Sequence, residues 1–89
     1  MAYSGIAATF RLLKRDWTKI VGDQLGAVSG PTALDEDGTL HVWVSTPAWQ
    51  MDLAEIESEL IAHFDTVQLF MLPSDVQGVP VRRLQLLLQ

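Results

Sequence analysis

The chain has 89 residues, 48% of them apolar, no cysteine and a formal net charge of −5. That composition excludes a disordered segment, a disulfide framework and a thiolate metal site; it fits one domain with a thin core, since a chain this short buries only about 60–65% of its unfolded surface. Met1 to Gly5 lack a charged stretch followed by an apolar run and no segment is long enough to cross a bilayer, so the expectation is a soluble cytoplasmic protein without a membrane partner.

In chain order, Ile6, Phe10, Leu13, Trp17, Ile20 or Val21, and Val28 lie on one helical stripe. They predict a first helix, weakened at Gly22 and Gly26 and stopped by Ser29-Gly30-Pro31. Thr32-Ala33-Leu34 reads as a short strand, and Asp35-Glu36-Asp37-Gly38 as a hairpin turn in which Gly38 supplies a positive φ. Thr39 to Ser45 alternates cleanly, with Leu40, Val42 and Val44 on one face and His41, Trp43 and Ser45 on the other. Thr46-Pro47 opens a second helix, an N-cap followed by proline at the first helical position, with Trp49, Leu53, Ile56, Leu60 and Phe64 as its core stripe. Residues 66–72 form an apolar run that extends this helix or makes a short third one, and Pro73-Ser74-Asp75 ends it. The last strand is expected over residues 79–88, starting at an edge because of Pro80, with Leu84, Leu86 and Leu88 inward and Arg83, Gln85 and Leu87 outward.

The predicted order is α-β-β-α-(α)-β, a two-layer α+β domain over residues 1–89 with its core at about 6–88: antiparallel strands in a small sheet, with helices on one face. That order resembles the type II KH arrangement. The Trp17-Thr18-Lys19-Ile20-Val21-Gly22 turn, the Leu40-His41-Val42-Trp43-Val44 strand, and Trp49 with Leu53 at the start of the next helix resemble the DciA family, bacterial proteins associated with the replicative helicase. The likeness covers roughly residues 10 to 88, with Leu84 as a further matching position. It implies a KH-like, non-enzymatic DNA-replication accessory module that helps place the helicase and contacts single-stranded DNA, with no cofactor. Two departures from the family pattern, an acidic overall charge and no basic extension beyond Gln89, imply reduced DNA affinity.

The charges are unevenly spread. Arg11, Lys14, Arg15 and Lys19 face only Asp16 among residues 1–22, whereas the second helix carries Asp52, Glu55, Glu57 and Glu59. Arg11, Arg15 and Lys19 form a basic stripe that Gly22 and Gly26 extend as small outward residues. It reads either as a solvated helix back or as a weak, salt-sensitive phosphate contact. Arg11, Lys14, Arg15, Lys19, Trp43 and Arg83 are the candidate nucleic-acid residues. His41, Trp43, Gln85 and Leu87 are the candidate partner or homodimer face. An outward Trp43 stacks a base, joins a protein contact or packs within its own chain. Self-association through that face, with no nucleic-acid role, is the alternative function.

Three other features carry less. The acidic edge Asp52, Glu55, Glu59 and His63 lacks a full ligand set for a metal. The Asp35–Gly38 turn lacks the closing acid of a calcium loop. There is no Gly-x-x-Gly clamp, no phosphate loop and no nucleophile–base pairing, so no enzyme activity is expected.

Overall fold

The computed structural model describes residues 2–89, with side chains described from residue 5 onward. The leader reading that begins at Met1 lies outside the described residues. In chain order the elements are α1 (Ala2–Arg15), α2 (Trp17–Val21), α3 (Asp23–Val28), β1 (Ser29–Leu34), β2 (Thr39–Val44), α4 (Pro47–Glu55), α5 (Glu57–Met71) and β3 (Arg83–Leu88). The architecture is α+β and KH-like, a three-stranded mixed sheet in the order β1-β2-β3 packed against helices.

The single helix expected over residues 6–28 is three helices. At Asp16 the backbone leaves helical geometry (φ −110°, ψ 21°). The bonds from Asp16 N–H to Leu12 O and from Ile20 N–H to Asp16 O bridge that point, so the axis kinks without stopping. At Gly22 it stops: φ 95° and ψ 161° suit only a residue without Cβ. The helical run ends at Val28, as expected just before Ser29-Gly30-Pro31, but without a left-handed cap at Gly30: the three residues open β1. Ser29 is extended, its hydroxyl donates to Leu25 O at 2.6 Å, and the Trp17 indole N–H donates to the same hydroxyl at 3.1 Å. Pro31 fits because β1 is an edge strand, where a missing N–H leaves no ladder bond broken on the outer side.

β1 and β2 pair antiparallel from Ser29↔Val44 to Leu34↔Leu40, with the register shifting between Pro31 and Ala33. The hairpin turn is as expected: Gly38 has φ 90° and donates to Asp35 O at 3.1 Å. β3 pairs parallel to β2 from Thr39↔Arg83 to Val44↔Leu88, so the expected three-stranded, antiparallel-containing sheet is a mixed one. A parallel neighbour needs a long crossover, and α4 and α5 supply it. They break at Ile56 (φ −104°, ψ 17°), so the second helix is also divided, and α5 absorbs the 66–71 run as an extension. Thr46 caps α4 as its sequence suggests, its hydroxyl accepting from Trp49 N–H at 3.2 Å.

The last strand begins at Arg83, four residues later than expected. Leu84 and Leu86 turn inward but stay half-buried, and Leu88 is 53% exposed where it was expected in the core, because it pairs with the last residue of β2 at the sheet's rim. Leu13, Leu40, Val42, Val44, Leu53 and Phe64 form the centre of the core, and Trp17 lies tilted on Phe64 with ring centroids 5.6 Å apart. Leu12, Val81 and Thr9 are buried without having been anticipated, while Ile6, Phe10, Val28 and Trp49 are only half-buried.

Candidate functional site

The candidate residues fall on two layers of the domain. Arg11 and Arg15 project from α1 and are exposed; one turn separates them on the same side of the helix. With Leu12, Met71 and Leu72 they line a groove of about 250 Å³ between α1 and the end of α5. Arg15 is partly engaged: its Nε and Nη2 donate to the Asp16 carboxylate at 3.3 and 3.0 Å. That contact holds the Asp16 carboxyl below the usual carboxylate range, chiefly by hydrogen bonding, and raises the Arg15 guanidinium in turn. The Lys14 ammonium lies 5.9 Å from the centre of the Phe10 ring, and Lys19 is exposed on α2. Gly22 is exposed with open space beside it, but Gly26 does not continue an open face. A Cβ on Gly26 would stand 2.6 Å from Thr18 Oγ1, so α3 packs directly on α2 there.

Trp43 and Arg83 belong to the other layer, on the sheet face away from the helices. His41 is registered with Gln85 and Trp43 with Leu87, so the four residues of the proposed partner face do share one surface. Trp43 is half-buried, because its indole lies over Gly30 of β1; a Cβ there would stand 2.5 Å from Trp43 Nε1. Intramolecular packing therefore takes part of the ring, and exposed Leu87 sits beside it. His41 Nε2 bonds Asp35 Oδ2 at 2.8 Å.

The acidic edge is not gathered into one cluster. His63 leaves it to donate from Nε2 to Ile20 O at 2.8 Å, closing a free carbonyl at the end of α2, and among the described residues no cluster of three potential ligands occurs. Among the described residues, no helix is long and apolar enough to cross a membrane.

Sequence reasoning missed the last turn of α5. Leu69 and Phe70 are 82% and 84% exposed, and Met71 is exposed beside them. Leu69 borders a second hollow, of about 640 Å³, between α5 and residues 73–80. A signal was available: Phe64 and Val67 define the buried stripe of α5, and Leu69 and Phe70 fall off it, at 100° per residue, where a soluble helix normally carries polar side chains.

Compared with known proteins, residues 2–68 match the family described as Dna[CI] antecedent, DciA. The chain belongs to the DciA family. Among curated proteins, the chain is similar to the UPF0232 protein of Mycolicibacterium smegmatis (strain ATCC 700084 / mc(2)155), 39% identical over 51 residues, which is 57% of this chain and 26% of that relative. The chain thus spans about a quarter of the length of the curated relative it matches. The DciA match starts earlier than the resemblance drawn from the tryptophans and ends before Leu69, so the exposed turn and Leu84 lie beyond it.

Proposed function

We propose that this domain is a non-enzymatic accessory module of DNA replication that binds the replicative helicase and touches single-stranded DNA weakly. The observation that carries the reading is the DciA match over most of the chain. The DNA contact falls to the exposed cations Arg11, Lys14, Arg15 and Lys19, which stand together on α1 and α2. Few phosphate contacts on a protein of net charge −5 make that contact weak and steeply salt-dependent. Trp43 and Arg83 lie on the other layer and would need a separate stretch of strand.

The test is light scattering on a sizing column, with the protein alone and mixed with the replicative helicase of its own source. A co-eluting complex supports the reading, and separate elution at micromolar concentration removes it. A second reading, self-association through His41, Trp43, Gln85 and Leu87, draws on the exposed Leu87 at that face. A dimer in the protein-alone run that Trp43→Ala converts to a folded monomer supports it; a protein that runs alone as a monomer rejects it.

A further inference from the structure

The last turn of α5 and the cationic side of α1 meet in one groove, and its chemistry is specific. Met71 and Leu72 from α5 and Leu12 from α1 give it apolar walls; Arg11 and Arg15 bring two guanidinium groups; none of its lining residues is acidic. Phe70, which precedes Met71 in the chain and is 84% exposed, is a further large apolar side chain left open at this end of α5. Large apolar side chains left out in water beside arginines are what the centres of protein interfaces are made of. Arg15 is already paired with the Asp16 carboxylate, so a docking segment's carboxylate meets Arg11 first and Arg15 only through the N–H groups that Asp16 leaves.

The charge of the groove selects its occupant. A second copy docked groove to groove would bring both pairs of arginines together across a symmetric contact, which opposes association. A nucleic-acid strand can meet Arg11 and Arg15 from the rim, but its phosphates gain nothing from the apolar floor of the groove. A segment with apolar anchors on one side and Asp or Glu beside them satisfies both the walls and the rim, in the manner of an amphipathic helix laid in a groove.

We propose that this groove is the protein-docking site of the domain, and that it takes an apolar-anchored acidic segment of the replicative helicase; the assignment rests on the helicase reading above. Phe70 and Met71 supply the burial, and Arg11 and Arg15 meet the carboxylates. Phe70 and Met71 lie just beyond the residues matched to the family, so their role is a property of this chain and not of the shared pattern.

The experiment is calorimetric titration of the intact domain into the helicase, with the Phe70→Ala/Met71→Ala double variant, Arg11→Glu, and Trp43→Ala as a control on the other layer. The exposed sites leave the fold intact, which circular dichroism checks for each variant. The expected result is at least a tenfold loss of helicase affinity in the double variant and in Arg11→Glu, with Trp43→Ala unchanged. Wild-type binding retained by both groove variants overturns the groove and leaves the helicase reading standing. No binding by the wild type removes both. Two further results overturn the assignment by naming another occupant: loss of oligothymidylate binding in the groove variants while helicase binding persists, or a wild-type dimer, seen by sedimentation, that the double variant dissolves.

Discussion

At the scale of single residues, the least replaceable polar group is Thr9, fully buried in α1. Its hydroxyl donates to Gln68 Oε1 at 2.8 Å and accepts from Val79 N–H at 3.0 Å, while Gln68 Nε2 donates to Val79 O at 2.9 Å. The three bonds close a ring that fastens the segment before β3 to α1 and α5. Thr9→Val keeps the shape but strands a buried N–H and a buried carbonyl oxygen; a loss of about 2–3 kcal/mol in urea unfolding is expected. Gly22 makes a different demand. Nothing crowds it, yet its φ of 95° strains any L side chain, so Gly22→Ala should cost about 1–3 kcal/mol with no steric clash to relieve. Two carboxyls set the acid limb of stability. Asp16 is held down chiefly by its hydrogen bond to Arg15, and Asp37 chiefly by the Thr39 hydroxyl and then its backbone N–H. A carboxyl whose folded pKa is depressed stabilises the fold above its unfolded pKa and loses that contribution as pH falls through the folded one. Stability should therefore decline between roughly pH 5 and pH 2. Asp37→Asn should make that decline shallower in acid titrations followed by circular dichroism; an unchanged profile would remove Asp37 from the account.

At the scale of elements, the strongly periodic pieces were legible and the breaks were not. The β2 alternation, the Asp-Gly turn and the Thr46-Pro47 helix start each obey one local rule that tertiary context does not oppose, and all three are as read. The kink at Asp16 keeps helical hydrogen bonds on both sides and the break at Ile56 keeps the one from Leu60 N–H to Ile56 O, so an apolar stripe runs through both without a signal. The parallel pairing of β3 depends on a crossover whose direction no local pattern encodes. Once formed, β3 is held from outside the sheet as well: Leu84 N–H donates to Glu57 Oε2 at 2.8 Å and Gln50 Nε2 donates to Leu86 O at 3.0 Å. These two side chains cover the free backbone edge that an outer strand leaves open. Glu57→Ala should cost about 1 kcal/mol and speed hydrogen exchange at the Leu84 amide, with the β1–β2 amides unaffected. Equal acceleration across the whole sheet would mean that Glu57 supports the global fold and not the β3 edge.

At the scale of the whole molecule, the candidate site was half legible. The cations of α1 stood out as a run of charge, and their exposure follows from the apolar stripe opposite them. The exposed turn of α5 did not, because an apolar run reads as core until the end of the core is known. The alternation of β2 already set Trp43 on the sheet face opposite the core and the apolar stripe set the α1 cations on the outer side of a helix, although both entered one set of nucleic-acid candidates. The body measures 39 × 23 × 19 Å, and its cations and Trp43 lie on different sides of the sheet and helix layers. A short strand held by Lys14 and Lys19 thus cannot also stack on Trp43. Labelled oligothymidylate followed by fluorescence anisotropy should show an affinity that falls with a log–log salt slope of about −2 to −3, the value for three or four phosphates on single-stranded DNA. Lys19→Glu should weaken binding and flatten that slope, because it removes one phosphate contact and adds a repulsion near another. Trp43→Ala should change neither quantity. The reverse pattern, with Trp43→Ala weakening binding and Lys19→Glu silent, would put the strand on the open sheet face and leave α1 to protein contacts alone.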